Sequence, residues 1–226
     1  MGYMLVAGLM SLIGMFVSGR LKSKFAHYSQ VPTRRGLSGR EVAESMLSSY
    51  GIQDVKVVES QGFLSDHYNP MNKTVALSPD VYHGRSVAAT AVAAHECGHA
   101  VQHATAYPML KLRSGLVPLV KVSSRAQQWL LFLALGGFGA GASGSQTILM
   151  ITIVAFAVTA LFSFITLPVE FDASKRAMVW VDQSGVVTGT EYDGAKDALQ
   201  WAAMTYVAAA LSALVMLLYL IMRMRD

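Results

Sequence analysis

Apolar residues are concentrated in long runs that carry no charged side chain. Residues 146–167 hold no charge, and residues 202–222 are equally apolar. Residues 1–19 form a third run of the same kind. A helix needs about 20 apolar residues to cross a bilayer. The pattern therefore predicts membrane-spanning helices in these three regions.

A fourth span is predicted immediately before residue 146. Residues 129–167 contain no charged residue, and this length suffices for two crossings at about 20 residues each. Residues 141–145 (GASGS) would make the turn of a helical hairpin. Because the first half of this hairpin is short and glycine-rich, a re-entrant or interfacial piece is the alternative.

Basic residues indicate the orientation of these spans. Of the 18 Lys and Arg, 13 lie within residues 20–128 and three within residues 168–201. Since basic segments stay in the cytoplasm, we expect both segments there and the N-terminus outside. Arg223 and Arg225 then lie outside, a small departure from the rule.

Composition supports an integral membrane protein. The chain is 53% hydrophobic and only 14% charged, against about 25% charged for an ordinary soluble domain. The single cysteine excludes an internal disulfide. Because no stripe of Lys and Arg is interleaved with aromatic residues, we expect no nucleic-acid partner.

Residues 20–128 are expected to fold as a small α+β cytoplasmic domain. Ser38 and Glu41 form a capping box ahead of a helix, with Gly51 after its end. Two strands, an alanine-rich helix and an amphipathic helix follow, at residues 54–59, 73–78, 86–103 and 108–128.

The alanine-rich helix carries the candidate chemistry in an H-E-x-x-H motif. At 100° per residue, His95 and His99 lie 40° apart on one helix face. Two neutral imidazoles so placed can share one Zn²⁺, and Glu96 could take a proton from the water that the metal activates. The alternative is a pair of surface histidines, which fits poorly with an otherwise apolar helix.

A catalytic zinc needs a third protein ligand, and two residues compete for this role. Glu170 follows Pro168, which suits the first turn of a new helix where the third span ends. His103 lies four residues after His99, but three ligands in a row on one straight helix cannot converge on one ion. Glu170 is therefore the better candidate, with a charged membrane-edge cap formed by Glu170 and Asp172 as the alternative.

Other residues are weaker candidates for a functional role. Cys97 lies 200° from His95 and is expected to be a packed thiol. His67 is either a turn residue or part of the substrate site, and His83 is expected at the surface. Residues 73–78 could pair with an extended peptide as an edge strand, although simple sheet packing is equally compatible.

Several motifs together resemble the neutral zinc metallopeptidase family of bacterial membranes, the YugP type. They cover most of the chain: residues 66–70 (DHYNP), 77–79 (LSP), 84–86 (GRS), 93–103 (AAHECGHAVQH), 168–174 (PVEFDAS) and 205–211 (TYVAAAL). More distantly, the chain is similar to the membrane gluzincins of the HtpX and CAAX-prenyl-protease group. In those proteins, two spans also separate the zinc helix from the third ligand.

The resemblance implies a membrane-bound zinc protease of bacteria. Together with the distribution of basic residues, it predicts a multi-pass protein of the bacterial inner membrane with its active site facing the cytoplasm. His95, His99 and Glu170 would bind one Zn²⁺ per chain, and Glu96 would be the catalytic acid/base. The distant relatives carry an Asp four residues after the ligand Glu, where this chain has Ser174.

Four residues are candidates for supporting roles around this site. Asp172 and Ser174 could support the ligands, although Asp172 would point away from them on a regular helix. Arg176 and Tyr192 are candidates for stabilising the oxyanion, on position alone.

The sequence therefore predicts a mainly α-helical membrane protein that hydrolyses peptide bonds with zinc. Its partners would be a polypeptide substrate and the lipid bilayer. One alternative is a non-enzymatic scaffold or chaperone with a structural zinc, which would need a closing fourth ligand such as His103 or Asp172. A metal transporter is a further alternative, but the four proposed spans contain no charged residue or histidine.

Overall fold

The computed structural model describes residues 2–62, 65–136 and 142–225, and most of these residues are helical. Four long helices and three shorter ones alternate with a small sheet. The helices are α1 (Gly2–Ser29), α2 (Gly39–Ser49), α3 (Pro79–Tyr82), α4 (Val87–Ala104), α5 (Pro108–Gly136), α6 (Ala142–Ser184) and α7 (Thr190–Arg225).

Local capping places the ends of the short helices where the sequence predicts them. The Ser38 side chain accepts from the backbone N–H of Glu41, and the Glu41 carboxylate accepts from the backbone N–H of Ser38, which confirms the capping box. Gly51 has φ +69° just beyond the end of α2. Ser86 caps α4 by accepting from the backbone N–H of Ala89.

The sheet has three strands, β1 (Lys56–Glu59), β2 (His67–Asn69) and β3 (Thr74–Leu77), in the order β1-β3-β2. β3 pairs in parallel with β1 and antiparallel with β2. β3 is thus the central strand, so of the two alternatives for residues 73–78 the structure favours sheet packing over an edge strand. The sequence-based prediction missed β2 and left its first residue, His67, open between a turn and the substrate site.

One hydrophobic core joins the sheet to the helices that carry the predicted ligands. It is formed by α2, β3, α4, the C-terminal part of α6 and the first turns of α7. Its fully buried large side chains include Met46, Leu77, Val87, Val101 and Val181. This core fixes α4 between the sheet on one side and α6 on the other.

Three helices are long and apolar enough to cross a membrane, among the residues that the structure describes. They contain the three apolar runs and extend over Gly2–Ser29, Gln146–Ser184 and Thr190–Arg225. α1 exposes a row of large apolar side chains, as expected of a helix in contact with lipid: Met4, Leu5, Leu9, Leu12, Met15 and Phe16. The structure thus supports a membrane protein.

The predicted hairpin is organised differently. α5 is one helix from Pro108 to Gly136, so the amphipathic segment and the start of the hairpin are continuous. α5 packs along α6 but is not among the three apolar helices. Of the predicted turn at residues 141–145, residues 142–145 already belong to α6, and residue 141 lies outside the described residues.

Pro168 does not begin a new helix. It lies inside α6, which continues through it to Ser184. Proline lacks an N–H and leaves the carbonyl four residues earlier without its usual partner. Inside membrane-spanning helices this loss is tolerated because neighbouring groups satisfy the backbone. Glu170 is therefore held within a long, continuous helix.

Candidate metal centre

α4 and α6 bring three potential metal ligands together. His95, His99 and Glu170 each offer one ligand atom, and these atoms lie within 4.8 Å of one another. Glu170 and His99 are buried, and His95 is nearly so. Among the described residues this is the group of His, Cys, Asp and Glu side chains that could hold a metal ion.

Distances within the cluster match those expected around zinc. Glu170 Oε2 lies 3.4 Å from His95 Nε2 and 3.5 Å from His99 Nε2. With metal–ligand bonds of about 2.0–2.2 Å, two ligands of a tetrahedral zinc lie about 3.4 Å apart. Glu170 Oε2 is also buried without a hydrogen-bond partner. A buried carboxylate oxygen in this state needs a partner, and a cation between the three side chains would be one.

Ser174 orients the first histidine. Its Oγ lies 3.0 Å from His95 Nδ1, so Nδ1–H can donate to the hydroxyl while Nε2 keeps its lone pair for a metal. Ligating histidines commonly use their second nitrogen in this way.

Gln102 orients the second histidine, and its own orientation is fixed by two acceptors. Its Nε2 donates to the Val169 carbonyl and to Asp172 Oδ2, both at 2.8 Å. The remaining amide oxygen must then accept, and it lies 3.0 Å from His99 Nδ1. His99 Nε2 is thereby left as the atom that faces Glu170.

Asp172 acts on the cluster through Gln102. As expected for a regular helix, Asp172 does not contact either histidine among the described contacts, yet it holds the amide that pairs with His99. Arg176 Nε in turn donates to Asp172 Oδ2 at 2.6 Å. Asp172, one of the candidates for supporting the ligands, thus reaches His99 only indirectly, because Gln102 bridges the gap between the two helices.

Arg113 of α5 fixes the third ligand. Its Nη1 donates to Glu170 Oε1 at 3.0 Å. Oε1 is thereby occupied, and Oε2 is the oxygen that remains for a cation. The sequence-based prediction did not single out Arg113, because only the packing of α5 against α6 brings it to the site.

Electrostatics at the cluster favours a positive charge. Burial lowers the pKa of His99, but the carboxylates of Glu170 and Glu96 outweigh this effect, so the pKa lies above its usual value. Surroundings that stabilise a protonated imidazole also stabilise a metal cation in the same place. Zinc binding would displace that proton, because imidazole coordinates in its neutral form.

Two cavities meet at the cluster, and His95, Glu96 and Glu170 line both of them. The first cavity has a volume of about 200 Å³ and lies between α1 and α7; it is called the α1–α7 cavity. The residues that α1, α4 and α7 contribute to its lining are Leu21, Phe25, Val92, Ala198, Leu199, Ala202, Ala203, Thr205 and Tyr206. The second, of about 290 Å³, is called the α5–β2 cavity; β2 and α5 contribute to it His67, Tyr68, Leu110, Arg113, Ser114 and Val117.

Glu96 lies at the junction of these two cavities. It is mostly buried, and its carboxylate accepts no hydrogen bond from the described part of the chain. A carboxylate next to the metal ligands and free to take a proton has the position that a general base needs. The spacing of the H-E-x-x-H motif predicts this placement.

Gly98 allows α4 and α6 to approach closely. A Cβ at this position would lie 2.4 Å from the Ala173 carbonyl oxygen, closer than real contacts allow. The two backbones therefore touch beside the cluster. This contact brings the histidines of α4 within reach of Glu170 on α6.

The other candidate residues lie away from the cluster. His103 Nδ1 lies 2.8 Å from the Tyr68 hydroxyl, at an exposed position. Cys97 is buried on the far side of α4, next to the Ala43 carbonyl. Tyr192 lines a neighbouring groove between α6 and α7, which shares Leu199 and Ala203 with the α1–α7 cavity, and Arg176 lies over the Tyr107 ring. Neither Tyr192 nor Arg176 lines the two cavities at the cluster.

His67 and Tyr206 extend the set of residues around the cluster. His67 belongs to β2 and lines the α5–β2 cavity, which favours the substrate-site alternative over a turn. Tyr206 of α7 lines both cavities. The sequence-based prediction did not assign Tyr206 a role. The available signal was its polar hydroxyl at the start of an apolar run.

Known proteins match the chain over nearly its whole length. The profile of the family described as "Putative neutral zinc metallopeptidase" matches residues 3–225. The "Putative membrane protease YugP" of Bacillus subtilis (strain 168) is 41% identical over 203 residues, which cover 90% of this chain and 88% of that protein. No solved structure gives a significant match.

Proposed function

The chain belongs to the "Putative neutral zinc metallopeptidase" family, and from this premise we propose that it is a membrane-bound zinc endopeptidase. Its site would hold one Zn²⁺ per chain on His95, His99 and Glu170. The observation that carries the proposal is the buried Oε2 of Glu170, which accepts no hydrogen bond and lies 3.4–3.5 Å from two imidazole nitrogens. Burial of a carboxylate oxygen without a hydrogen bond is unfavourable in the absence of a cation, and a bound cation would compensate for it.

The side chains around the ligands have different roles in the proposed reaction. Zinc in this site would lower the pKa of a water molecule and polarise a peptide carbonyl. Glu96 takes the proton from the attacking water and later gives it to the leaving amine. Ser174 and Gln102 keep the two imidazoles in the tautomer that coordinates.

Tyr206 is the proposed donor to the carbonyl oxygen that becomes negative during attack. It lines both cavities together with Glu96 and the ligands, and its hydroxyl can donate a hydrogen bond. Arg176 and Tyr192, which position in the sequence suggests for this role, contact other groups. Arg176 is paired with Asp172.

β2 is the proposed docking strand for an extended substrate. It is at the edge of the sheet, and its residues His67 and Tyr68 line the α5–β2 cavity. Strand addition at an exposed edge uses main-chain hydrogen bonds and leaves side chains to enter pockets. Strand addition was one of the two alternatives for residues 73–78, and the central position of β3 moves this proposal to β2.

The alternative of a structural zinc scaffold receives less support. A structural site is closed by a fourth ligand, for which His103 and Asp172 were the candidates. His103 pairs instead with Tyr68, and Asp172 with Gln102 and Arg176. The two cavities beside the ligands leave room for water and substrate, as catalysis requires.

We further propose that the protein lies in the bacterial inner membrane as a multi-pass protein with its site facing the cytoplasm. Three apolar helices and the similarity to a Bacillus subtilis protein named as a membrane protease support a membrane protein. The concentration of Lys and Arg within residues 20–128 supports the cytoplasmic placement of the site.

The experiment that tests the proposed reaction compares the wild type with Glu96→Gln. Purified full-length protein in detergent should cleave an unfolded polypeptide slowly, and Glu96→Gln should abolish the cleavage. The zinc content, measured by atomic spectroscopy, should stay near one per chain in both proteins, because Glu96 is not a ligand. Undiminished cleavage by Glu96→Gln would refute the mechanism.

A further inference from the structure

The α1–α7 cavity differs in chemistry from the α5–β2 cavity. Side chains with charge or hydrogen-bonding groups, His67, Tyr68 and Arg113, line the α5–β2 cavity. The α1–α7 cavity has a larger share of apolar wall, which includes Leu21, Phe25 and Leu199. Asp66, Ser174, Thr205 and Tyr206 also line it and add polar groups. The two cavities beside the predicted metal ligands therefore differ in how much of their wall is apolar.

Small residues of α7 create the space in the α1–α7 cavity. Ala198, Ala202 and Ala203 face it, and larger side chains at these positions would fill it. Its volume is about 200 Å³, and an apolar cavity of about 150 Å³ already takes up a molecule such as benzene. The cavity is therefore large enough for a leucine or phenylalanine side chain.

We propose that the α1–α7 cavity is the specificity pocket of the enzyme and holds a large apolar side chain next to the scissile bond. This inference rests on the proposed function. His95, Glu96 and Glu170 form one wall of the cavity, so its occupant lies beside the reacting atoms. The substrates are thus polypeptide segments rich in Leu, Ile, Met or Phe, such as membrane-spanning or unfolded segments.

Peptides that differ only beside the scissile bond test the pocket directly. The cleavage site in an unfolded polypeptide is first mapped by mass spectrometry. For each of the two residues that flank this site, a peptide with Leu is then compared with a peptide with Ala. Since one methylene in an apolar pocket changes kcat/KM by roughly 10–200-fold, Leu at one flanking position should exceed Ala by at least about tenfold. Equal kcat/KM values for Leu and Ala at both positions would overturn the proposed pocket.

Substitutions in the cavity wall should change this preference in opposite directions. Ala202→Leu fills the cavity, and the Leu-to-Ala ratio of kcat/KM should fall at least about tenfold. Leu199→Ala enlarges it and should move the preference toward Phe. Ala209→Leu is the matched control, because Ala209 is exposed on the same helix and lines neither cavity. A preference that stays unchanged in both cavity variants would overturn the pocket.

Binding separates a failure of this inference from a failure of the proposed function. Fluorescent peptides with Leu or Ala at the preferred position are titrated against full-length Glu96→Gln protein, and anisotropy gives their Kd. Tighter binding of the Leu peptide, with loss of that advantage in Glu96→Gln/Ala202→Leu, supports the pocket even without measurable cleavage. Equal binding of both peptides excludes the proposed pocket.

Discussion

At the scale of single residues, the site depends on which atom of each side chain is already occupied. Glu170 Oε1 accepts a hydrogen bond from Arg113, and Nδ1 of His95 and of His99 pairs with Ser174 and Gln102, respectively. The remaining atoms, Glu170 Oε2 and the two Nε2 nitrogens, face one another. Side chains held in this way are already oriented for a metal ion, which reduces the reorganisation needed on binding.

Exchange of the third ligand should remove zinc. Glu170→Ala should strip zinc and activity together, and it should lower Tm because bound metal stabilises the folded state. His103→Ala is the matched control, and its zinc content should stay near the wild-type value because His103 pairs with Tyr68 at an exposed position. Atomic spectroscopy and thermal unfolding of the two variants measure these effects. Full zinc in Glu170→Ala together with loss in His103→Ala would reverse the assignment.

Tyr206→Phe should lower kcat while zinc content remains unchanged. The substitution removes the proposed donor to the carbonyl oxygen and keeps the ring, so a loss of about 100- to 1,000-fold is expected. Tyr192→Phe is the control, since Tyr192 lines neither cavity at the cluster, and its kcat should stay near that of the wild type. Peptide hydrolysis and metal analysis are measured on the same samples. A normal kcat in Tyr206→Phe would remove this tyrosine from the mechanism.

At the scale of helices and strands, the site depends on how closely α4 and α6 approach. Gly98→Ala would place a methyl group 2.4 Å from the Ala173 carbonyl. The helices must then separate, at a cost of about 1–3 kcal/mol, and Glu170 moves away from the histidines. We expect a lower Tm and a lower zinc content.

Gly115→Ala provides the control for this substitution. Gly115 also lies within a helix, but a Cβ there meets nothing within 4 Å. Alanine should stabilise the helix by up to about 1 kcal/mol, without loss of zinc. If both glycine variants kept wild-type zinc content and stability, the close helix contact would not determine the site.

Local patterns predicted the helices and the motif, while pairing across the chain was harder to anticipate. The capping box and the spacing of His95 and His99 act over three or four residues, so the sequence alone reveals them. The strand order β1-β3-β2 depends on contacts between distant segments, and β2 has only three residues. Pro168 misled the prediction because its local preference for a first turn is overridden by the packing of a continuous helix.

The supporting contacts of the site show the same limit. Gln102 lies one turn beyond the motif and only matters because Val169 and Asp172 of α6 lie opposite it. Arg113 reaches Glu170 from a helix that the sequence places before the hairpin. Neither contact follows from spacing, since each joins residues more than 50 positions apart.

At the scale of the whole molecule, the cluster of His95, His99 and Glu170 constrains how the chain crosses the membrane. His99 and Glu170 lie in one site, so residues 99 and 170 must be on the same side. If the apolar part of α6 crosses the membrane, residue 146 lies on the opposite side, about 33 Å from residue 168 along the helix. The chain must then cross before residue 146 as well. α5, with 29 residues and about 43 Å in length, is the described helix placed to do so.

Cysteine labelling tests this expectation of four crossings. Single cysteines at Gln61 and Gln183, both exposed and on the side of the site, should react only with reagents that reach the cytoplasm. A cysteine at Ser143 should react from the opposite side. The label at Ser143 also decides whether α5 crosses, because an α5 that lay along the surface would leave Ser143 on the same side as Gln61. Labels at Gln61 and Gln183 on opposite sides would contradict a site shared by α4 and α6, since both helices must reach one ion from the same compartment.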